Sequence, residues 1–147
     1  MDLIYLDYNC FQRPFDNLSD TRIRIEALAC QEIFARAEAQ TVELVWSFVH
    51  VDETVLCPFP DRQAEAFRLS SLCRKRQGPT GAILQTARKF SARQNLSGRD
   101  ALHVAAAIET GAGIFLSCDD RLIHRALRME LDIELLNPVD YIRRKET

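Results

Sequence analysis

Four acidic residues stand where their carboxylates could meet at one site. Asp7 and Asp119 each follow a short apolar run, Asp100 opens an alanine-rich segment, and Glu53 lies six residues beyond Ser47. Converging carboxylates repel one another, and a divalent cation that prefers oxygen ligands reverses this penalty. The set therefore predicts a site for Mg²⁺ or Mn²⁺.

The elements that must position these acids alternate between strands and helices. Short apolar runs predict the strands, and the helices follow from apolar residues at helical spacing bounded by caps, glycines and prolines. The predicted strands lie at 3–6, 42–47, 113–118 and 131–136. The predicted helices lie at 19–40, from Ser47 onward, and at 61–76, 80–94, 98–111 and 119–130.

This alternation predicts the fold class. No two-residue hairpin joins the strands, so the sheet is expected to be mainly parallel and covered by helices on both faces. The prediction is an α/β protein, a three-layer α/β/α sandwich with four or five strands, formed by a single domain at 1–147. The length of 147 residues and the apolar fraction of 47% suit one globular domain with a sizeable core.

In an open parallel sheet, residues just past the carboxyl ends of the strands share one edge, where ligands usually bind. Asp7 and Asp119 meet that condition, and Asp100 and Glu53 could face the same crevice. Helix capping is the alternative explanation for some acids. Ser97 precedes Asp100 by three residues, as Ser117 precedes Asp120, and both spacings resemble a capping box. Asp7 resists this explanation, since no helix is expected to start directly after it, and Asp119 is surplus to the capping pattern.

Positive charge is concentrated in one segment. Residues 66–99 contain no acid but eight of the 19 basic residues, although the net charge of the chain is −2. The two helices predicted at 61–76 and 80–94, separated by the turn sequence QGPTG, would form a basic helical hairpin at about 61–94. It could bind a phosphate backbone, whereas charge alone favours a solvated helix surface. The candidate phosphate contacts in this segment are Arg68, Arg74, Lys75, Arg76, Arg88, Lys89 and Arg93.

Several functional classes lack support in the sequence. No closely spaced glycines form a nucleotide-binding loop. His103, three residues after Asp100, could lie beside the acids, but packing or surface roles are favoured for all three histidines. The five cysteines are widely spaced without a C-x-x-C pair, so neither a disulfide framework nor a zinc site is indicated. No run of about 18 apolar residues occurs, and an acid at position 2 is atypical of a signal peptide. We therefore expect a cytoplasmic protein without a membrane segment.

Taken in order, the acidic motifs resemble those of a PIN domain over nearly the whole chain. The matching features are Asp7 followed by Asn9, Ser47 with Glu53, Asp100-Ala101 opening an alanine-rich helix, and Ser117-x-Asp119 after a strand. The resemblance implies a Mg²⁺- or Mn²⁺-dependent ribonuclease of the VapC toxin type, acting on an RNA substrate, with an antitoxin partner and a homodimeric state. An apolar helix such as 23–34 could provide the dimer interface.

The resemblance also assigns roles to residues of this chain. Asp7, Glu53, Asp100 and Asp119 would be the catalytic, metal-binding acids, with Asn9, Ser117 and Asp120 in support, and Asp100 or Asp119 could accept a proton from the attacking water. The chain departs from the family pattern at Tyr8 and at the insertion CFQRPFDNLSD, which offers Arg13 as a phosphate contact. Asp16 and Asp52 are further acids that could join the site.

Two other functions compete with nuclease activity. A catalytically silent PIN-like module would bind protein or RNA and use its acids only as helix caps. A phosphatase with an aspartate nucleophile would place that residue after the first strand, but Asp7-Tyr8-Asn9 lacks the second acid two residues on that such enzymes typically carry. The phosphatase is therefore the weakest alternative.

Overall fold

A parallel β-sheet forms the centre of the computed structural model, which describes residues 1–146. Its five strands are hydrogen-bonded in the order β3-β2-β1-β4-β5, and every neighbouring pair is parallel. This confirms the predicted parallel sheet. The strands are β1 (Asp2–Leu6), β2 (Val42–Ser47), β3 (Lys75–Gln77), β4 (Ile114–Leu116) and β5 (Glu134–Leu136).

Helices cover both faces of the sheet and complete a three-layer sandwich. One core lies between the sheet and helices α1, α2, α4 and α8, and the other lies beneath α5, α6 and α7. None of the helices within residues 1–146 has the length and apolar character needed to cross a membrane. The helices are α1 (Tyr8–Gln12), α2 (Thr21–Glu38), α3 (Phe48–Val55), α4 (Pro60–Ser70), α5 (Gly81–Gln94), α6 (Gly98–Thr110), α7 (Asp120–Leu127) and α8 (Pro138–Glu146).

The central strands are apolar along their length because both of their faces are buried. In β1, Ile4 and Leu6 belong to the core under α2, whereas Tyr5 points into the core under α6. Strand β2 alternates in the same way, with Trp46 in the first core and Val45 in the second. Burial on both sides is the reason that these strands read as continuous apolar runs.

The strand order determines which residues can meet at the edge of the sheet. Strand β1 lies between β2 and β4, and Leu6 pairs directly with Leu116. The residues that follow β1, β2 and β4 therefore share the carboxyl edge. Asp7, Ser117 and the start of α3 are all placed there.

The first helix of the predicted basic helical hairpin at 61–94 is shorter than predicted. Helix α4 ends at Ser70 rather than at Arg76, and residues 75–77 form the edge strand β3, which pairs with β2. Pairing satisfies backbone groups that β2 would otherwise expose along that side. The segment is thus a helix, an edge strand and a second helix.

Two helices were not predicted. Helix α1 begins at Tyr8, directly after Asp7, where no helix start was expected, and Tyr8 and Phe11 are buried. Helix α8 begins at Pro138, a residue whose fixed φ suits the first helical position. Short helices of this kind are stabilised by packing more than by intrinsic propensity, so their sequences carry weak signals.

Candidate active site

Asp7 is the first residue beyond β1. Its backbone N–H donates to the carbonyl of Leu116 at 2.8 Å, which extends the pairing of β1 with β4. Only 6% of the residue is exposed. Its Oδ2 atom accepts hydrogen bonds from Ser117 Oγ at 2.7 Å and from Asn9 Nδ2 at 3.2 Å. Two side chains thus hold the carboxylate of Asp7 in one orientation.

The surroundings of Asp7 disfavour its charged form. Burial raises the pKa of its carboxyl from 3.8 to about 6, and the charges of Asp100 and Glu53 add to the shift. His103 and the hydrogen bond from Ser117 act in the opposite direction. Both neighbouring carboxylates are therefore within electrostatic reach of Asp7.

Asn9 and Ser117 join the two segments that follow β1 and β4. Asn9 Nδ2 donates to Ser117 Oγ at 3.1 Å, and Asn9 Oδ1 accepts from the backbone N–H of Cys118 at 3.1 Å. Ser117 Oγ also accepts from the backbone N–H of Asp119 at 3.0 Å. Their predicted supporting role agrees with these contacts, which fix Asp7 relative to Asp119.

Glu53 reaches the site from α3 and contacts a histidine on α6. Glu53 Oε1 lies 2.5 Å from Nε2 of His103, whose side chain is fully buried. The same Nε2 atom lies 3.9 Å from Asp7 Oδ1. Because a carboxylate only accepts, His103 Nε2 carries a proton that it donates to Glu53. His103 thus lies between two of the predicted acids.

A buried hydrogen-bond chain continues from His103 into the core. His103 Nδ1 lies 2.7 Å from the hydroxyl of Tyr5, which lies 2.7 Å from Ser47 Oγ. Ser47 also caps α3, and its backbone N–H donates to His50 Nδ1 at 2.9 Å. The other ring nitrogen of His50 therefore donates to the carbonyl of Leu6, at 2.7 Å. Burial lowers the pKa of His50 well below its usual value, so this imidazole is neutral.

Asp100 lies in the first turn of α6 and is half-buried. Ser97 caps this helix and accepts from the Asp100 backbone N–H at 3.1 Å, as the spacing of the two residues predicted. Burial raises the pKa of the Asp100 carboxyl, and the charges of Asp119 and Glu53 raise it further. Asp100 therefore lies in the capped first turn of α6. It is also one of the four acids Asp7, Glu53, Asp100 and Asp119, which we call the acidic group.

Asp119 caps α7, contrary to the expectation that it is surplus to capping. Its Oδ1 atom accepts from the backbone N–H groups of Arg121 and Leu122 at 3.0 and 3.3 Å. Asp120, which was expected to be the capping acid and to support the site, instead forms an ion pair with Arg22. Asp119, rather than Asp120, is the exposed acid whose charge acts on Asp100.

The donor set suits a hard divalent cation. Asp7 is a desolvated carboxylate among like charges, a penalty that a bound cation would relieve. Within residues 1–146, no three carboxylates bring an oxygen each within 4.8 Å of one another. A site in which only one or two carboxylates contact the ion suits Mg²⁺ or Mn²⁺, since Mg²⁺ commonly completes its coordination with waters and substrate phosphates.

Asp52, Asp16 and Arg13 are the remaining candidates from the sequence. Asp52 is exposed on α3, and Asp16 pairs with Arg13 and Arg62 at 3.0 and 3.3 Å. Arg13, a predicted phosphate contact, is largely buried and also pairs with Glu26 at 3.3 Å. Its charge is committed to carboxylates of the protein, so the structure gives no support to a role in RNA binding.

The remaining basic candidates are exposed but divided between two areas. Arg68 on α4 is paired with Glu65, and Arg76 donates to the carbonyl of Ser70. Arg93 lies in the last turn of α5, just before the loop that leads to α6. The exposed residues around β3 are Arg74, Lys75 and Arg76, and those on α5 are Arg88, Lys89 and Arg93.

The sequence did not predict site roles for the side chains of His50, His103 and Tyr5, which lie behind the acids. His50 and His103 were assigned to packing or surface roles, and Tyr5 reads as an ordinary strand residue. The one available signal was the spacing of three residues between Asp100 and His103, which places both on one side of a helix. The contact with Glu53 depends on the packing of α3 against α6.

Comparison with known proteins supports the fold. No protein-family model and no curated protein matches the sequence. Among solved structures, the chain is similar to FitAcB from Neisseria gonorrhoeae, with 14% identity, a TM-score of 0.58, and coverage of 92% of this chain and 97% of that one. VapBC-1 from nontypeable Haemophilus influenzae gives 15% identity, a TM-score of 0.57 and coverages of 92% and 98%.

A third similar structure is VapC20 of Mycobacterium tuberculosis, described as a sarcin-ricin loop cleaving toxin. It shares 17% identity with this chain at a TM-score of 0.58, over 89% of this chain and 98% of that one. Identities this low establish a shared fold. The predicted PIN-like fold is therefore confirmed.

Proposed function

We propose that the chain is a Mg²⁺- or Mn²⁺-dependent endoribonuclease that hydrolyses RNA phosphodiester bonds. The observation that carries the proposal is the buried carboxylate of Asp7, held by Ser117 and Asn9 among the charges of Asp100 and Glu53. Burial of a charged group among like charges is unfavourable unless a ligand compensates the charge.

Asp7, Glu53, Asp100 and Asp119 would hold the cation, one or two of them directly and the others through coordinated waters. When bound, such an ion lowers the pKa of a coordinated water and stabilises charge on the leaving oxygen. The protein's own residues keep the acids in place: Ser117 and Asn9 orient Asp7, and the hydrogen bond from His103 orients Glu53. Asp100 or Asp119 would accept the proton of the attacking water, since both carboxylates have access to solvent and are near enough for their charges to interact.

RNA would be bound mainly through its phosphates. Arg88, Lys89 and Arg93 are exposed on α5, and Arg93 lies near the loop that leads to Asp100. Contacts of this kind position a nucleic acid without reading its sequence. The exposed basic residues around β3, Arg74 and Lys75, form a second area that could contact phosphates.

We also propose a toxin role with an antitoxin partner, which the similarity to FitAcB, VapBC-1 and the toxin VapC20 supports. Exposed apolar side chains offer surfaces for protein contacts. Val55, Leu56 and Phe59 lie exposed between α3 and α4, and Ile25 and Leu28 lie exposed on α2. The first group would suit an antitoxin. In the expected dimer interface at 23–34, Ile33 and Phe34 are buried in the core, so Ile25 and Leu28 are the side chains that would suit a homodimer.

The proposal is tested by RNA cleavage with matched variants. Purified ribosomal and transfer RNA are incubated with the wild-type chain in Mn²⁺ or in chelator, and with Glu53→Gln and Asp52→Asn. We expect cleavage that requires Mn²⁺, is lost in Glu53→Gln and persists in Asp52→Asn. Wild-type protein that binds RNA or a partner but never cleaves would instead identify a catalytically silent module.

A further inference from the structure

Three cysteines that are distant in sequence meet in the core beneath α2. The Sγ atoms of Cys10, Cys30 and Cys118 all lie within 4.8 Å of one another. All three residues are buried and none forms a disulfide. Within residues 1–146 this is the one group of three metal-ligating side chains that comes so close together. We refer to it as the cysteine cluster.

We propose that the cysteine cluster binds one Zn²⁺ ion through three thiolates, at a site separate from the acidic group. A tetrahedral site with Zn–S bonds of about 2.3 Å has sulfur atoms about 3.8 Å apart. The three sulfurs are therefore within about 1 Å of the required spacing. Rotamer adjustments of this size do not require the backbone to move.

Sulfur chemistry decides the class of metal. Thiolates are soft ligands that favour Zn²⁺ over Mg²⁺ and Mn²⁺, which prefer oxygen. Each Zn–S bond replaces an S–H bond, and the proton passes to the solvent. The cysteine cluster and the acidic group would thus select different ions from the same solution.

A second observation comes from the charged pair beside the cluster. Arg13 interacts with Cys118, and Arg13 Nε is buried without a hydrogen-bond partner among residues 1–146. Zn²⁺ with three thiolates has a net charge of −1, and the neighbouring Glu26 adds a second negative charge. Arg13 and Arg22, which both pair with Glu26, would offset these two charges. The buried site would then be close to neutral, as a desolvated charge requires.

Glu26 completes these surroundings. It lies one helical turn before Cys30 on the same side of α2, it is only 2% exposed, and its charge acts on Cys30 and Cys118. Its Oε1 atom pairs with Arg13 but has no hydrogen-bond partner among the described residues. Glu26 holds the arginine next to the cluster, and a water molecule would complete the tetrahedral coordination.

The position of the cluster indicates a structural role. Cys10 lies in α1 next to Asn9, and Cys118 lies between Ser117 and Asp119. An ion there would tie both segments of the acidic site to Cys30 on α2. Three buried thiols without a metal would serve only as small apolar side chains, and a measurement of metal binding distinguishes the two roles.

Metal binding is measured on the full-length chain, purified under reducing conditions and stripped of metal. Zn²⁺ is titrated in competition with a chromophoric chelator, and Co²⁺ is added separately to detect the charge-transfer absorption of cobalt bound to thiolates. We expect one Zn²⁺ per chain, proton release on binding, a thiolate band with Co²⁺, and a higher melting temperature with Zn²⁺. Ions bound only by carboxylates give no thiolate band.

Cysteine variants locate the site. Cys30→Ala should abolish the thiolate band and the thermal shift caused by Zn²⁺, whereas Cys73→Ala, which removes a buried cysteine outside the cluster, should retain both. Cys30→Ser serves if the alanine variant does not fold. A wild-type chain without a thiolate band, or an equal response of Cys30→Ala and Cys73→Ala, would overturn the proposal. These results do not depend on RNA cleavage, so the zinc site and the nuclease activity are tested separately.

Discussion

His103 on α6 donates from Nε2 to Glu53 on α3 across 2.5 Å, and this contact joins the acidic group to the buried chain through Tyr5. The hydrogen bond fixes one oxygen of Glu53 and leaves the other for a ligand. Histidines that orient a carboxylate in this way are common in the outer shells of metal sites. The geometry of Glu53 therefore depends on residues that do not reach the solvent.

Substitution of Asp7 by asparagine separates stability from function. Asp7→Asn should abolish Mn²⁺-dependent RNA cleavage, because a neutral amide is a poor ligand for a divalent cation. At pH 7 without metal, the variant should be as stable as the wild-type chain or more so, by up to about 3 kcal/mol, since it no longer buries a charge. Urea unfolding measures the stability, and a folded variant with full activity would refute the role of Asp7.

The raised pKa of Asp7 predicts how stability depends on pH in chelator. The folded state holds its proton up to about pH 6, against 3.8 for the ordinary value, so protonated Asp7 favours the folded chain at low pH. This contribution is complete below about pH 4 and is lost as the pH rises through about 6. The difference in unfolding free energy between wild type and Asp7→Asn should change across this window, and a constant difference would contradict the shift.

Removal of the Tyr5 hydroxyl should weaken both the core and the site. Tyr5→Phe leaves His103 Nδ1 and Ser47 Oγ without this partner, which we expect to cost about 1 to 3 kcal/mol of unfolding free energy. Cleavage should fall by about tenfold or more, because Glu53 loses its oriented support. Tyr8→Phe is the control, since the Tyr8 hydroxyl interacts with Gln12, at 3.4 Å, and with Thr54, which are not part of the hydrogen-bond chain behind Glu53. Equal effects of the two substitutions would argue against the hydrogen-bond chain as a support for Glu53.

The basic residues of α5 can be tested through the salt dependence of RNA binding in chelator. Arg88→Ala combined with Lys89→Ala should weaken binding and reduce the slope of log K against log salt by about one for each phosphate that the protein no longer binds. Arg24→Ala combined with Arg128→Ala removes two exposed charges elsewhere and should leave the slope unchanged. Identical slopes for both double variants would exclude α5 from the RNA surface.

The parts of the fold that were predictable have strong local signals. Apolar runs that end in acids located β1 and β4, and the spacing of Ser97 and Asp100 located the start of α6. Strand β3 was missed because Lys75, Arg76 and Gln77 have no strand-like apolar pattern. Its conformation comes from pairing with β2, a contact that local sequence does not encode.

The residues predicted for the candidate site were the acids together with Asn9 and Ser117, whereas the buried residues behind Glu53 were not predicted. Acids at strand ends and helix starts follow from topology, so Asp7 and Asp100 could be placed together. The partner of Glu53 could not be found, because His103 lies 50 residues away and its contact depends on how α3 packs on α6. The cysteine cluster was hidden for the same reason, since Cys10 and Cys118 are separated by most of the chain.

Direct counting of bound Mn²⁺ is the most decisive measurement for the acidic site. The electron paramagnetic resonance signal of free Mn²⁺ is titrated against wild-type chain, Asp7→Asn and the control Asp52→Asn at about pH 7.5, where carboxylates are ionised. The account predicts that wild type and Asp52→Asn remove Mn²⁺ from solution with saturation at a whole number of ions, and that Asp7→Asn removes far less. A wild-type chain that binds no Mn²⁺, or binds it no better than Asp7→Asn, would contradict the account.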